Sequence, residues 1–177
     1  MRRRRNKSNN NNASHIAQKV AVIGALAAFG AILSYIETLI GFSLGVPGVK
    51  LGIANIAVLV TLYRYNARSA AAVNLVRILV VGLLFGNLFS IAFSIFGAFI
   101  SLIVMIIVKK TDKFSILGTS AVGGVGHNMG QALAAMFIVD SYSVVYYIPV
   151  LFVAGIVTGI AVGLVSNIIL YYVPKKL

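Results

Sequence analysis

From Ile16 to Val173 the chain is a succession of long apolar stretches separated by short polar breaks. A helix crosses a bilayer with about 20 apolar residues. On that measure the pattern predicts six transmembrane helices, at about 17–43, 49–65, 69–85, 88–108, 115–138 and 145–173. The run from Ser69 to Val108 has no charged loop, yet it overshoots one crossing. Its break is predicted at Gly86-Asn87, because both residues are poor in helix interiors. Strands of a membrane barrel would alternate in polarity, and these stretches do not.

The polar breaks then orient the predicted spans. Arg2, Arg3, Arg4, Arg5, Lys7 and Lys19 precede or enter span one, Arg64 lies at the end of span two, and Arg68 follows it. Lys109, Lys110 and Lys113 follow span four, and Lys175 and Lys176 follow span six. An inside N-terminus puts every one of these groups on the cytoplasmic side, as the positive-inside rule requires, and an even span count returns the C-terminus there. Tyr63, Tyr65, Tyr171 and Tyr172 then mark the inner boundary, and Tyr142, Tyr146 and Tyr147 the outer one. The expected fold is an all-α membrane protein of six transmembrane helices with both termini cytoplasmic.

Composition agrees with that class. The chain has 177 residues, of which 60% are hydrophobic and 10% charged, where soluble domains carry about 25% charged residues. A formal net charge of +12 raises nucleic acid as a partner, but the cations flank apolar spans instead of forming one basic face, so none is expected. Residues 1–15, basic and Asn-rich, are expected to be a disordered cytoplasmic tail, and 16–177 a single six-helix domain. The basic start resembles a signal peptide, but the apolar stretch Ile16 to Leu44 is too long for its hydrophobic region. With no Cys, disulfides, thiolate metal sites and cysteine nucleophiles are excluded.

Small residues recur every fourth position on three spans: Ala17, Ala21 and Ala25; Gly126, Gly130 and Ala134; Gly155, Gly159 and Gly163. Such stripes let helix backbones approach closely. On spans five and six they are expected to pack the bundle internally. The span-one stripe serves equally as a packing face or as a docking face for a partner protein.

Topology leaves three charges unexplained: Glu37, Lys50 and Arg77. A charge at membrane depth costs roughly 2.5–3.5 kcal/mol on insertion scales, so each marks a candidate site. Asn55 lies one turn into span two, Asn74 and Arg77 share a face of span three, and His127, Asn128 and Gln131 sit on span five. Together they could line one outward-opening pocket for a small organic ligand with an anionic group, with Lys50 or Arg77 as counter-ion. The competing reading is a fixed bridge from Glu37 to Lys50 or Arg77, with amides that merely join helices and His127 a satisfied core residue. Two His and three scattered acids make no metal site. Gly124 to Gly130 spaces its glycines as GxGxxxG with no strand before it, which is no dinucleotide loop, and there is no Walker lysine motif. No catalytic residue and no cofactor are expected.

The run Pro47-Gly48-Val49-Lys50-Leu51-Gly52-Ile53-Ala54-Asn55, then Arg77, Ser94 with Gly97, and Gly126-His127-Asn128-xx-Gln131, resembles the membrane family called heptaprenyl diphosphate synthase component I, also named the Gx transporter family. The resemblance runs from about Ile16 to Val173 and leaves out the basic tail. It is similar in size and layout to the substrate-binding S components of energy-coupling factor transporters. That similarity implies an S-component-like bundle in a bacterial plasma membrane, capturing a vitamin-like or quinone-precursor-like molecule for a separate coupling subunit and ATPases. Ala17, Ala21 and Ala25 would then face the coupling subunit. The synthase name implies instead a non-catalytic accessory to a prenyl diphosphate synthase subunit in prenyl or menaquinone synthesis. Synthases of that kind hold magnesium–diphosphate on aspartate-rich motifs, and this chain has only Asp112 and Asp140 and no DDxxD. The resemblance therefore implies no enzyme.

Overall fold

A computed structural model describes residues 2–40, 52–138 and 142–172. It is all-helical over these residues: α1 (Arg2–Ile40), α2 (Asn55–Arg64), α3 (Ala67–Phe85), α4 (Leu88–Lys110), α5 (Ile116–Ile138) and α6 (Ile148–Tyr172), with a 3-10 turn at Tyr142–Tyr147 leading into α6. The predicted break at Gly86-Asn87 is present. Asn87 is extended and its Oδ1 accepts the amide of Ser90 at 2.8 Å, so it caps α4. Asn66 does the same for α3 through the amide of Ser69.

α1 runs as one helix from Arg2 into the first apolar stretch. One expectation needs adjustment. Span two was expected to cover 49–65. Residues 49–51 fall outside the described residues, and the helix that follows begins only at Asn55. Ten residues at 1.5 Å each reach about 15 Å, half of a roughly 30 Å hydrocarbon core. The apolar stretch Ile16–Leu39, α3, α4 and the segment Tyr142–Tyr172 are long and apolar enough to cross a membrane. With 23 residues α5 has the length, but its glycines and its Ser, His, Asn and Gln residues dilute its apolar character.

The short helix is the centre of the molecule. Every residue of α2 from Asn55 to Leu62 is buried, and Val58, Leu59, Val60 and Leu62 form the main core with Leu102, Met105 and Val162. α1 and α3 pack on one side of it, while α5 lies between α4 and α6. The glycine stripes on α5 and α6 pack internally, as expected. A Cβ on Gly155 would come within 2.8 Å of Val125 Cα, one on Gly159 within 2.6 Å of Ala121 Cα, and one on Gly163 within 2.9 Å of Leu117 Cα. On the other face of α5, a Cβ on Gly130 would lie 2.7 Å from the carbonyl oxygen of Phe96. The stripe Ala17, Ala21 and Ala25 differs: all three residues are exposed.

Basic side chains fasten the helices at one end. Lys109 Nζ donates to the carbonyl of Leu62 at 2.6 Å, near the C-terminus of α2, and lies 4.8 Å above the Tyr63 ring. Arg64 Nη2 donates to the carbonyl of Leu170 at 2.8 Å, and Tyr63 Oη to Thr119 Oγ1 at 2.9 Å. The last carbonyls of a helix have no partner within it and carry its negative pole, so cations are favoured there.

Candidate functional site

Arg77 sits at the middle of α3, where its neighbours Val73, Asn74, Ile78 and Val81 are buried and Leu75, Val76, Leu79 and Val80 are exposed. Helical periodicity therefore turns Arg77 inward, and it is only 6% exposed. Its guanidinium meets one acceptor from each of three helices. Nε donates to Asn74 Oδ1 of α3 at 2.9 Å, Nη1 to Ser34 Oγ of α1 at 3.0 Å, and Nη2 to Asn55 Oδ1 of α2 at 3.0 Å. The planar fork of an arginine is suited to reaching three directions at once. Gly30 makes room for the stem, since a Cβ there would lie 3.3 Å from Arg77 Cδ.

Glu37 lies one turn beyond Ser34 on the same face of α1 and is also buried. Its carboxylate attracts the Arg77 guanidinium electrostatically. Glu37 Oε1 also accepts the amide of Gly52 at 2.5 Å. Gly52 has φ +76°, a left-handed conformation that glycine adopts freely, and a Cβ there would crowd Asn55 Nδ2 at 3.1 Å. From Gly52 the chain turns through Ile53 and Ala54, with the Asn55 amide donating to the Gly52 carbonyl at 2.8 Å, and α2 begins. The anion thus rests beside the N-terminus of the short helix, where the peptide dipoles favour negative charge.

The α5 residues lie elsewhere. Asn128 Nδ2 donates to the carbonyl of Leu151 at 2.8 Å and so ties α5 to α6. His127 and Gln131 are buried beneath Gly97 of α4, where an added Cβ would lie 3.0 Å from His127 Cε1 and 2.9 Å from Gln131 Cγ. The two clusters approach each other across α4, because Asn74 Nδ2 reaches the carbonyl of Ala98, next to Gly97, at 3.4 Å. Glu37, Asn55 and Arg77 are therefore brought together, while His127 and Gln131 form a second polar group on the far side of the α4 backbone. Lys50 lies outside the described residues.

A small internal cleft adjoins Asn55. Gly52, Ser101, Ser120, Gly124 and Thr158 help line it, and it has room for about one water molecule. Among the described residues no three His, Cys, Asp or Glu side chains gather to hold a metal ion. Sequence reasoning missed Ser34 and Gly30. The spacing of Ser34 three residues before Glu37 was the available signal for the first; nothing marks Gly30 without knowing where Arg77 goes.

No curated protein and no solved structure matches the chain. A family model described as heptaprenyl diphosphate synthase component I matches residues 26–169, a stretch that holds all of α2 to α5, most of α6 and the part of α1 bearing Ser34 and Glu37. Because the match covers well over half of the chain, and the long apolar helices fit a membrane protein, the chain belongs to the heptaprenyl diphosphate synthase component I family.

Proposed function

We propose that the protein is a non-catalytic membrane subunit that captures a small molecule with an anionic group, for transfer to a coupling partner. The observation that carries this reading is the Arg77 guanidinium, buried in the apolar interior on neutral acceptors from three helices. Neutral acceptors orient a cation without cancelling its charge, and Glu37 gives part of its carboxylate to the Gly52 amide. The centre also stands at the start of a helix too short to cross, and broken helices of this kind hold ligands in transporters. Lys50 belongs to the segment that leads into Gly52 and adds a second cation to the proposed binding set, together with Asn55, His127, Asn128 and Gln131. The exposed alanines Ala17, Ala21 and Ala25 supply the smooth face a coupling subunit would need.

The test is ligand retention. Protein extracted in mild detergent is expected to carry a small anionic molecule detectable by mass spectrometry, and Arg77→Lys is expected to lower its recovery at least about 10-fold, because an ammonium cannot reproduce the three-way fork. Folded Arg77→Lys and Lys50→Ala proteins that retain and import the molecule as the wild type does would sink the reading.

The family match favours a second reading, in which the protein is the membrane accessory of a prenyl diphosphate synthase. With Asp112 and Asp140 its only aspartates, magnesium–diphosphate chemistry would belong to the partner subunit. Deleting the protein should then deplete long-chain prenyl diphosphates and the quinones made from them. Unchanged levels would remove this alternative.

A further inference from the structure

Four amide side chains are buried in the described interior: Asn55, Asn74, Asn128 and Gln131. Three of them have found partners. Asn55 accepts from Arg77, Asn74 accepts from Arg77 and donates toward Ala98, and Asn128 donates to Leu151. Gln131 differs from all three, since both its Oε1 and its Nε2 are buried without a hydrogen-bond partner. It is 2% exposed, so neither end reaches out of the bundle. A glutamine cannot ionise away the cost of such a position, and an unsatisfied buried donor or acceptor normally costs far more than a made hydrogen bond contributes. A leucine or methionine would fill the same space without that cost.

We infer that the Gln131 amide is the recognition element of the proposed binding site for a planar donor–acceptor edge: a carboxamide, a lactam or an imide on the captured molecule. Gln131 offers a carbonyl acceptor and an N–H donor side by side, and such an edge satisfies both in one plane. Gly97 on the facing helix seats the glutamine and His127 together, because any side chain there would meet both. This inference rests on the reading of the protein as a binding subunit and sharpens its substrate class. Arg77 selects an anionic group, and Gln131 selects a neutral polar edge on a part of the molecule that passes the α4 backbone at Gly97 and Ala98, which separates the two clusters. A buried site built to hydrogen-bond a polar group discriminates strongly against molecules that lack it, because its own polar atoms are then left unpaired.

Two measurements on the full-length protein in detergent test this. The first is the thermal midpoint of ligand-stripped protein with Gln131→Met. Loss of an unpaired amide should leave the midpoint unchanged or raise it by a few degrees. A drop of several degrees shows that the amide is bonded within the bare protein and overturns the inference. The second is binding of orotate, which carries a carboxylate and an imide edge, pyroglutamate, which carries a carboxylate and a lactam, and benzoate, which carries the carboxylate alone. At least one of the first two should bind the wild type at least 10-fold more tightly than benzoate, and Gln131→Met should abolish that preference. Equal binding of all three, or a preference that survives Gln131→Met, overturns the edge recognition while leaving the anion-binding reading intact. Absence of binding by all three overturns the edge recognition, and the Arg77→Lys retention experiment decides the anion-binding reading separately.

Discussion

The two halves of this bundle are held by opposite means. Between α5 and α6, and between α4 and α5, backbone meets backbone: Gly155, Gly159 and Gly163 face Val125, Ala121 and Leu117 with no room for a single methyl group. Between α1, α2 and α3, side chains do the joining, and one guanidinium takes an acceptor from each helix. In a membrane the hydrophobic effect does not drive helices together, so close packing of small residues and polar contacts must do so. The difference has a mechanical meaning. Backbone packing has one arrangement and resists change, whereas a set of side-chain hydrogen bonds can exchange partners. The half that holds the charges is also the half with the replaceable contacts, which is where a binding site that opens and closes would be expected.

The sharpest way to break this comparison is to add volume where backbones touch. In Gly159→Leu the new Cβ would sit 2.6 Å from Ala121 Cα and 2.6 Å from the Ser120 carbonyl oxygen, neither of which is a flexible side-chain end. Overpacking costs about 1–3 kcal/mol where side chains can shift and more where only backbone can give. The expected result is little or no monodisperse protein on size-exclusion chromatography. A well-folded Gly159→Leu protein of wild-type thermal stability would show that the α5–α6 contact is adjustable, and the contrast between the halves would fall.

The second test strikes the polar half. Arg77→Ala removes the guanidinium that attracts the buried Glu37 carboxylate and leaves three acceptors without their donor. Removing one member of such a set of buried charges costs roughly 3–5 kcal/mol. Adding Glu37→Gln should restore much of that loss in thermal stability, since a neutral amide can still accept from Gly52 and neither Asp/Glu nor Lys/Arg then stays buried among the described residues. If Glu37→Gln restores nothing, the two charges are not coupled and the centre is three separate hydrogen bonds.

How much of this was legible in the chain depends on the kind of signal. Arg77 and Glu37 stood out because charge inside an apolar run has no cheap alternative explanation, and periodicity alone turned Arg77 inward. The glycine stripes were legible because spacing by four survives any detail of packing. The short α2 was not legible: 17 mostly apolar residues from Val49 to Tyr65 satisfy a hydropathy window whether or not they are one helix. Only the Gly52 turn and its bond to Glu37 show where the helix begins, and that bond joins residues 15 apart. The separation of His127 and Gln131 from Arg77 was hidden for a similar reason. Sequence can place residues at one depth, but which side of α4 they occupy depends on the crossing at Gly97. Lys109 and Arg64 were read as topological charges, and their second role as donors to the carbonyls of Leu62 and Leu170 needs the assembled bundle.

The smallest expected effect lies at the joint between the halves. Asn66 and Asn87 each open a helix in the pattern Asn-x-x-Ser, with the side-chain oxygen on the serine amide at 2.8 Å. Asn66 starts α3 and so belongs to the polar half, whereas Asn87 joins α3 to α4 and links the two. Removing an N-cap costs about 0.5–2 kcal/mol, and the exposed bond at Asn87 should fall near the low end. Asn87→Ala should therefore lower the thermal midpoint by only a few degrees and speed hydrogen exchange at the amides of Leu88 to Ser90. Exchange across α5 and α6 should not change, because their contacts do not pass through this turn. Asn87→Ser, which keeps an oxygen in place, should recover most of the loss. If Asn87→Ala instead loosens α5 and α6 or destabilises as much as Arg77→Ala, the halves are one cooperative unit, and the adaptable side cannot move while the packed side holds still.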